Sequence, residues 1–176
     1  SVAPVIAGQT VSEFIGATSQ PSPETPHQYL TYEVTGAVYY EETWGNYSVF
    51  LVPSDYDFDA ALAEGATQPN GNAIMIYYRS DMDVLKAFHG KEVTIDIVMQ
   101  GYRTDKTVFY ANFFGTAIDV GITIVDDAEA ITTALAALNY PTPILEDMTL
   151  ELPAELYGVT LTYTSSEPTV IDVTTG

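Results

Sequence analysis

The feature that most limits what this chain can fold into is a change of period at residue 29. From there on, aromatic and β-branched residues recur at every second position. Tyr29–Tyr40 (YLTYEVTGAVYY) begins the pattern, and Lys91–Gln100 is its most regular stretch, with Val93, Ile95 and Ile97 set against Thr94 and Asp96. Successive side chains of a strand point to opposite faces, so this spacing lines one face with apolar groups and predicts half-buried strands. Tyr47–Val52, Ala73–Tyr78 and Thr107–Phe114 supply three more. Trp44-Gly45-Asn46 signals a turn, so Tyr29–Val52 is expected to form a hairpin, with Gly36 at a bulge or sharp bend. Between the third and fourth strands, Asp81–Phe88 reads as a helix capped by Ser80 or Asp81 and stopped by His89-Gly90. A turn is expected over Gly101–Lys106. Pro53–Asn72 is expected to be a loop, with one helical turn at Asp59–Ala63. Upstream, Thr10 to Glu13 has the spacing of a capped short helix, and Ser19–His27, with three prolines, reads as loop.

Five strands with a short helix between the third and fourth is the order of an OB-type barrel, a partly open Greek key. Val34-Thr35-Gly36-Ala37-Val38 and Gly90-Lys91-Glu92-Val93-Thr94-Ile95 resemble the OB-like modules of bacterial secreted nucleases and lipoproteins, over about Thr10–Gly115. The long Pro53–Asn72 loop departs from that pattern, which has a short link there.

The last quarter reads differently. Asp126-Asp127-Ala128-Glu129 is a capping box. Ile131, Leu135 and Leu138 are expected to form the buried stripe of the helix that follows, and Asn139-Tyr140-Pro141 ends it. Met148–Leu152, Val159–Tyr163 and Val170–Val173 read as short strands. The run Leu152-Pro153, then Gly158-Val159-Thr160-Leu161-Thr162, Ser165-Ser166, Pro168 and Val170-Ile171 resembles the atrophied bacterial immunoglobulin-like domain. That resemblance covers about Asp126–Gly176 and implies a spacer module of large secreted or surface proteins. An immunoglobulin-like sandwich needs about seven strands, so a truncated module is expected here, leaning on the barrel to cover an open edge. The expected organisation is therefore mainly β. Residues 1–120 form a five-stranded OB-like Greek-key barrel with an N-terminal lead-in. Residues 121–176 form a partial immunoglobulin-like module preceded by one helix. Ala117–Val125 is the bridge between them.

Charge narrows the function classes. The chain carries 24 Asp and Glu against five Lys and Arg, a net charge of -19. Nucleic-acid binders neutralise phosphates with Lys and Arg, and Arg79, Lys86, Lys91, Arg103 and Lys106 are scattered in sequence, so no nucleic-acid partner is expected. No apolar stretch is long enough for membrane insertion, and Ser1-Val2-Ala3-Pro4 has no leader pattern. The absence of cysteine excludes disulfides, thiol nucleophiles and Cys-based metal sites.

No catalytic set is visible, so the chain is expected not to be an enzyme. His27 lies among prolines, and His89 is expected to stop a helix as a cation near its C-terminus. Glu41-Glu42 are adjacent on a strand end and point apart, unlike a glycosidase pair. Asp55, Asp57 and Asp59 alternate as the first ligands of a Ca²⁺ loop do. Ala60 and Ala66 stand where such a loop needs Gly and Glu, so only a looser Ca²⁺ site is a candidate. Otherwise Asp55–Asp59 is a solvated loop with Tyr56 and Phe58 packed inward. Of the aromatics, Trp44, Tyr47 and Tyr77 are the candidate ligand-binding residues, with glycan as the ligand class left once nucleic acid is set aside. The leading expectation is a non-catalytic accessory or spacer segment of a larger secreted or cell-surface bacterial protein, with neighbouring domains of the same polypeptide as partners. The alternative is a glycan- or Ca²⁺-binding module using the barrel face or the Asp55–Asp59 loop.

Overall fold

A computed structural model describes residues 5–18, 29–60, 62, 64–115, 121–140, 148–171 and 173. In chain order the elements are β1 (Ile6–Thr10), α1 (Val11–Thr18), β2 (Thr31–Tyr40), a 3₁₀ turn (Glu42–Tyr47), β3 (Val49–Val52), β4 (Ile74–Ile76) and α2 (Met82–Lys86). There follow β5 (Glu92–Arg103), β6 (Val108–Phe113), β7 (Ile122–Ile124), α3 (Asp127–Ala137), β8 (Glu155–Leu156) and β9 (Val159–Thr160). The strands pair in the order β1-β2-β3-β4-β6-β5-β7, and β5 also pairs with β2. That second pairing closes β2, β3, β4, β6 and β5 into a five-stranded barrel. Its seams are antiparallel except β4–β6, which is parallel because α2 and β5 lie between those strands in the chain.

Period-two patterning supplies the interior. Tyr32, Val34 and Val38 of β2 face Val93, Ile95, Ile97 and Met99 of β5, all nearly inaccessible to solvent. The β2–β5 register runs unbroken from Thr31↔Val98 to Ala37↔Glu92. Gly36 is therefore not a bulge. A Cβ there would lie 2.5 Å from Val11 Cγ2 and 2.7 Å from the Val52 carbonyl oxygen, so the position is glycine for close approach. Register shifts sit instead in β1, between Ile6 and Gln9, and in β5, between Met99 and Gly101. The strand continues through Arg103, leaving only residues 104–107 for the turn.

The capped helix expected after Thr10 is present. Glu13 N–H donates to Thr10 Oγ1 (3.2 Å) and Thr10 N–H donates to Glu13 Oε2 (2.8 Å), satisfying two end donors reciprocally. α1 plugs the barrel with Val11 and Phe14, the Phe14 ring meeting Tyr32 and Phe109 edge-on. α2 adds Met82 and Leu85, followed by Phe88.

A second apolar layer lies outside the barrel. Ala37, Tyr39, Phe50, Val52, Ala73, Met75 and Val108 are buried beneath Trp44, Tyr47, Tyr56, Phe58 and Tyr110. This is why all four residues of β3 are buried although the strand lies in the barrel wall. Tyr56 and Phe58 pack inward as expected, and in the suggested helical turn at 59–63 Asp59 and Ala60 form a bend.

The C-terminal region joins the same core. β7, in the stretch expected to be a bridge, pairs antiparallel with β5 (Val93↔Ile124 to Ile95↔Ile122). Asp126 caps α3, accepting from Glu129 N–H at 2.8 Å. The Glu129 carboxylate turns instead to Lys91, forming an ion pair with the barrel. The expected stripe is corrected by one row: α3 buries Ala130 and Ala134, with Leu138 packed alongside, while Ile131 and Leu135 are 49% and 62% exposed. Alanines let the helix axis approach the sheet more closely than Ile or Leu would allow. Of the three expected strands, Val159–Tyr163 survives as β9 alone, paired with β8. Described residues 148–152, 170, 171 and 173 are not strand. Tyr157 and Gly158, both at positive φ, form the two-residue turn between β8 and β9. Tyr157 O accepts from Ile124 N–H (3.2 Å), and its ring packs on Phe88. Among the described residues no helix is long and apolar enough to cross a membrane.

Candidate functional site

Two aromatic groups occupy the outside of the barrel, and they differ in what they leave free. In the first, Tyr39 is sandwiched between Trp44 (5.5 Å, 22°) and Phe58 (5.4 Å, 17°), with Tyr56 and His89 against its edges. Tyr56 donates to Asn70 Oδ1 at 2.7 Å. Burial pushes the phenols of Tyr39 and Tyr56 above their ordinary range. Trp44 also meets Phe50 edge-on. This group is a lid on the second apolar layer. Trp44 is part of that lid, which puts it in packing contacts with Tyr39 and Phe50.

His89 follows α2, its Nδ1 accepts the Tyr40 N–H at 2.9 Å, and its ring lies against Tyr39 and Phe58. Glu41 accepts from the N–H and hydroxyl of Thr43 (3.1 and 2.8 Å), and these bonds hold its carboxyl below the usual range. It shapes the turn into the 3₁₀ segment. His27 lies outside the described residues.

Asp55, Asp57 and Asp59 are exposed. Asp57 Oδ1 accepts from the N–H groups of Asp59 (3.1 Å) and Ala60 (3.0 Å), a local turn that occupies one oxygen. Among the described residues no three His, Asp or Glu side chains are grouped to hold a metal ion.

The second aromatic group is built from four separate segments. Tyr47 ends the 3₁₀ turn between β2 and β3. Tyr77, Tyr78 and Arg79 directly follow β4. Arg103 ends β5, Lys106 lies in the β5–β6 turn, and Tyr110 points outward from β6. The parallel β4–β6 seam brings these together: Ile76 lies beside Ala111, and Tyr77 N–H donates to the Ala111 carbonyl at 2.7 Å. The rings touch in sequence, Tyr47 to Tyr78 at 5.8 Å, Tyr78 to Tyr77 at 4.8 Å and Tyr77 to Tyr110 at 5.8 Å. All four are half-buried. Arg103 and Lys106 each lie 5.0 Å from the Tyr47 ring centre, and Arg79 lies 5.4 Å from that of Tyr78. Cations over aromatic faces are attracted by the ring quadrupole.

Three of the chain's five cations thus converge on one patch. Their spacing in sequence made them look scattered, and only the barrel's closure gathers them. Arg103 is neutralised by a bidentate pair with Asp105 (3.1 and 2.7 Å). Arg79 instead donates to the Tyr78 hydroxyl at 3.0 Å. Neither Arg79 nor Lys106 has a carboxylate partner among the described residues, whereas Lys86 pairs with Asp83 and Lys91 with Glu129. Burial raises the Tyr77 phenol pKa, as does the hydroxyl of Tyr78 beside it. Tyr47 and Tyr77, two of the three residues expected to bind a ligand, fall in this patch, and Trp44 falls in the lid. Comparison with protein families, curated proteins and solved structures finds none that matches the chain.

Proposed function

We propose that this chain is a non-catalytic accessory segment of a larger exported or cell-surface bacterial protein, in which it acts as a stiff spacer between neighbouring domains. One observation carries the reading: the C-terminal region is built onto the barrel wall instead of hanging from it. β7 extends the sheet from β5, Glu129 pairs with Lys91, and Ala130, Ala134, Leu156 and Tyr157 share a single apolar core with the barrel interior. A junction made by a sheet ladder and a shared core resists bending, because flexing it would expose apolar area at about 25 cal/mol per Å². The OB-like reading of the barrel is supported by the strand order β2-β3-β4-β6-β5, the parallel closing pair and the helix between the third and fourth barrel strands. The immunoglobulin-like reading of the C-terminal region rests on the motif from Leu152 to Ile171. An acidic, cysteine-free chain fits a bacterial extracellular setting.

Hydrogen exchange tests the stiffness. The amides of Ile124, Val125 and Leu161 should open only with the barrel amides of β5. Opening at much lower free energy would mean a flexible joint and would sink the spacer reading. Hydrolysis of any ester, glycan or nucleic acid, abolished by a single Asp or Glu substitution, would overturn the non-catalytic part.

A further inference from the structure

Beyond the spacer role, and independently of it, we infer that the patch of Tyr47, Tyr77, Tyr78 and Tyr110 with Arg79 and Lys106 is a binding site for a carboxylate-bearing saccharide. The argument begins with charge. A chain with 24 carboxylates and five cations offers every cation an abundance of partners, and Lys86, Lys91 and Arg103 each take one. Among the described residues Arg79 and Lys106 form no ion pair, Lys106 acting on Asp105 only from beyond ion-pair distance, and both are held against tyrosine rings of the same patch. Lys106 is further placed by its backbone, whose carbonyl accepts from Gln68 Nε2 at 2.8 Å. Cations pre-positioned in this way lose little freedom on meeting an anion.

The rings decide the kind of anion. Half-buried tyrosines combine apolar ring carbons with hydroxyls at their rims, which suits the C–H groups and hydroxyls of pyranose rings. Arg103, already paired with Asp105, serves as a positioning residue that holds the Tyr47 ring from one side. Two cations outside any ion pair among the described residues match a ligand with sparse charges, one carboxylate every sugar or two. A nucleic acid carries a phosphate on every residue and would meet the field of a chain at net charge -19 with too few counter-charges. A neutral glycan would leave the two cations without a role.

Isothermal titration of the whole chain with uronate tetrasaccharides (galacturonate, glucuronate and mannuronate) tests this, with neutral galactose and glucose tetrasaccharides and a short oligothymidylate as comparisons. At least one uronate should bind saturably, about tenfold or more tightly than the neutral sugars, and should weaken as ionic strength rises. Arg79→Gln and Lys106→Gln should each weaken it about five- to tenfold, while Lys86→Gln should leave it unchanged. Because the Gln variants remove only charged tips from the surface, their melting temperature should match the wild type. Amide shifts on titration should centre on Tyr47, Tyr77–Arg79 and Lys106, a readout that needs no variant. The inference is overturned if no uronate binds, if neutral sugars bind equally well, if both Gln variants bind like wild type, or if the shifts lie elsewhere. Tighter binding of oligothymidylate would also overturn it, in favour of a nucleic-acid ligand.

Discussion

Gly36→Ala is the sharpest test of how the barrel is assembled. The position is buried in the middle of the β2–β5 seam, opposite Val93. Its backbone is extended, so alanine meets no conformational barrier, and by propensity alone would be favoured by about 0.5–1 kcal/mol over glycine in a strand. Packing opposes this. The added methyl would lie 2.5 Å from Val11 Cγ2 and 2.7 Å from the Val52 carbonyl oxygen. Val11, the first residue of α1, is fully buried, and Val52 O belongs to the β2–β3 ladder at Ala37↔Val52. Neither neighbour is the free end of a flexible side chain, so α1 must lift or β3 must shift. Overpacking of this kind costs about 1–3 kcal/mol, and the two contacts together place Gly36→Ala at the upper end, about 2–3 kcal/mol net. For a chain of this size that corresponds to a melting temperature lower by about 5–10 °C. Urea unfolding followed by circular dichroism and by Trp44 fluorescence measures it, with the midpoint moving and the slope unchanged. Val11→Ala in the same chain removes one of the two clashes, so the double variant should be about 1 kcal/mol less destabilised than the sum of the singles. A Gly36→Ala protein within about 0.5 kcal/mol of wild type would refute the close-approach argument.

Other perturbations separate the remaining claims. Phe58→Ala removes a ring stacked on Tyr39 and should cost about 2–3 kcal/mol and perturb Trp44 emission; a solvated loop would show neither effect. Asp126→Ala deletes the α3 cap and should cost about 1 kcal/mol, seen as faster hydrogen exchange at the start of that helix. Asp96 faces Glu33 across the β2–β5 seam, and burial together with that neighbour raises its carboxyl pKa. A raised folded-state carboxyl pKa means the folded chain binds the proton more tightly than the unfolded one. This group's contribution to stability therefore falls as pH rises from the unfolded pKa through the folded one. Asp96→Asn should accordingly stabilise the protein near neutral pH by about 0.5 kcal/mol, an advantage that shrinks on acidification. Equal stability of the two proteins at both pH values would contradict it.

Much of the local structure was legible in the residues. Alternation placed β2, β3, β4, β5 and β6, the Thr10–Glu13 and Asp126–Glu129 spacings located two helix starts, and Tyr56 and Phe58 were expected to turn inward. These are signals with a period or a fixed short offset. The errors fall where a position is decided by something distant. Gly36 reads as a bulge until Val11 and Val52 are seen against it. Ile131 and Leu135 look like the core of α3 until Ala130 and Ala134 are found against the sheet.

The same division holds for the candidate site. Charge balance, the missing cysteines and the aromatic richness of the strands are properties of the chain, and they narrow the expected ligand classes from the sequence alone. The grouping of Arg79, Arg103 and Lys106 around Tyr47 and Tyr78 is not encoded at any local spacing. It follows from closing β2 against β5 and laying β6 parallel to β4, which bring a turn, a strand end and a hairpin to one place. Local patterning determines which segments become strands. The search for a partner for every exposed edge and apolar face, a property of the whole chain, decides which side chains meet.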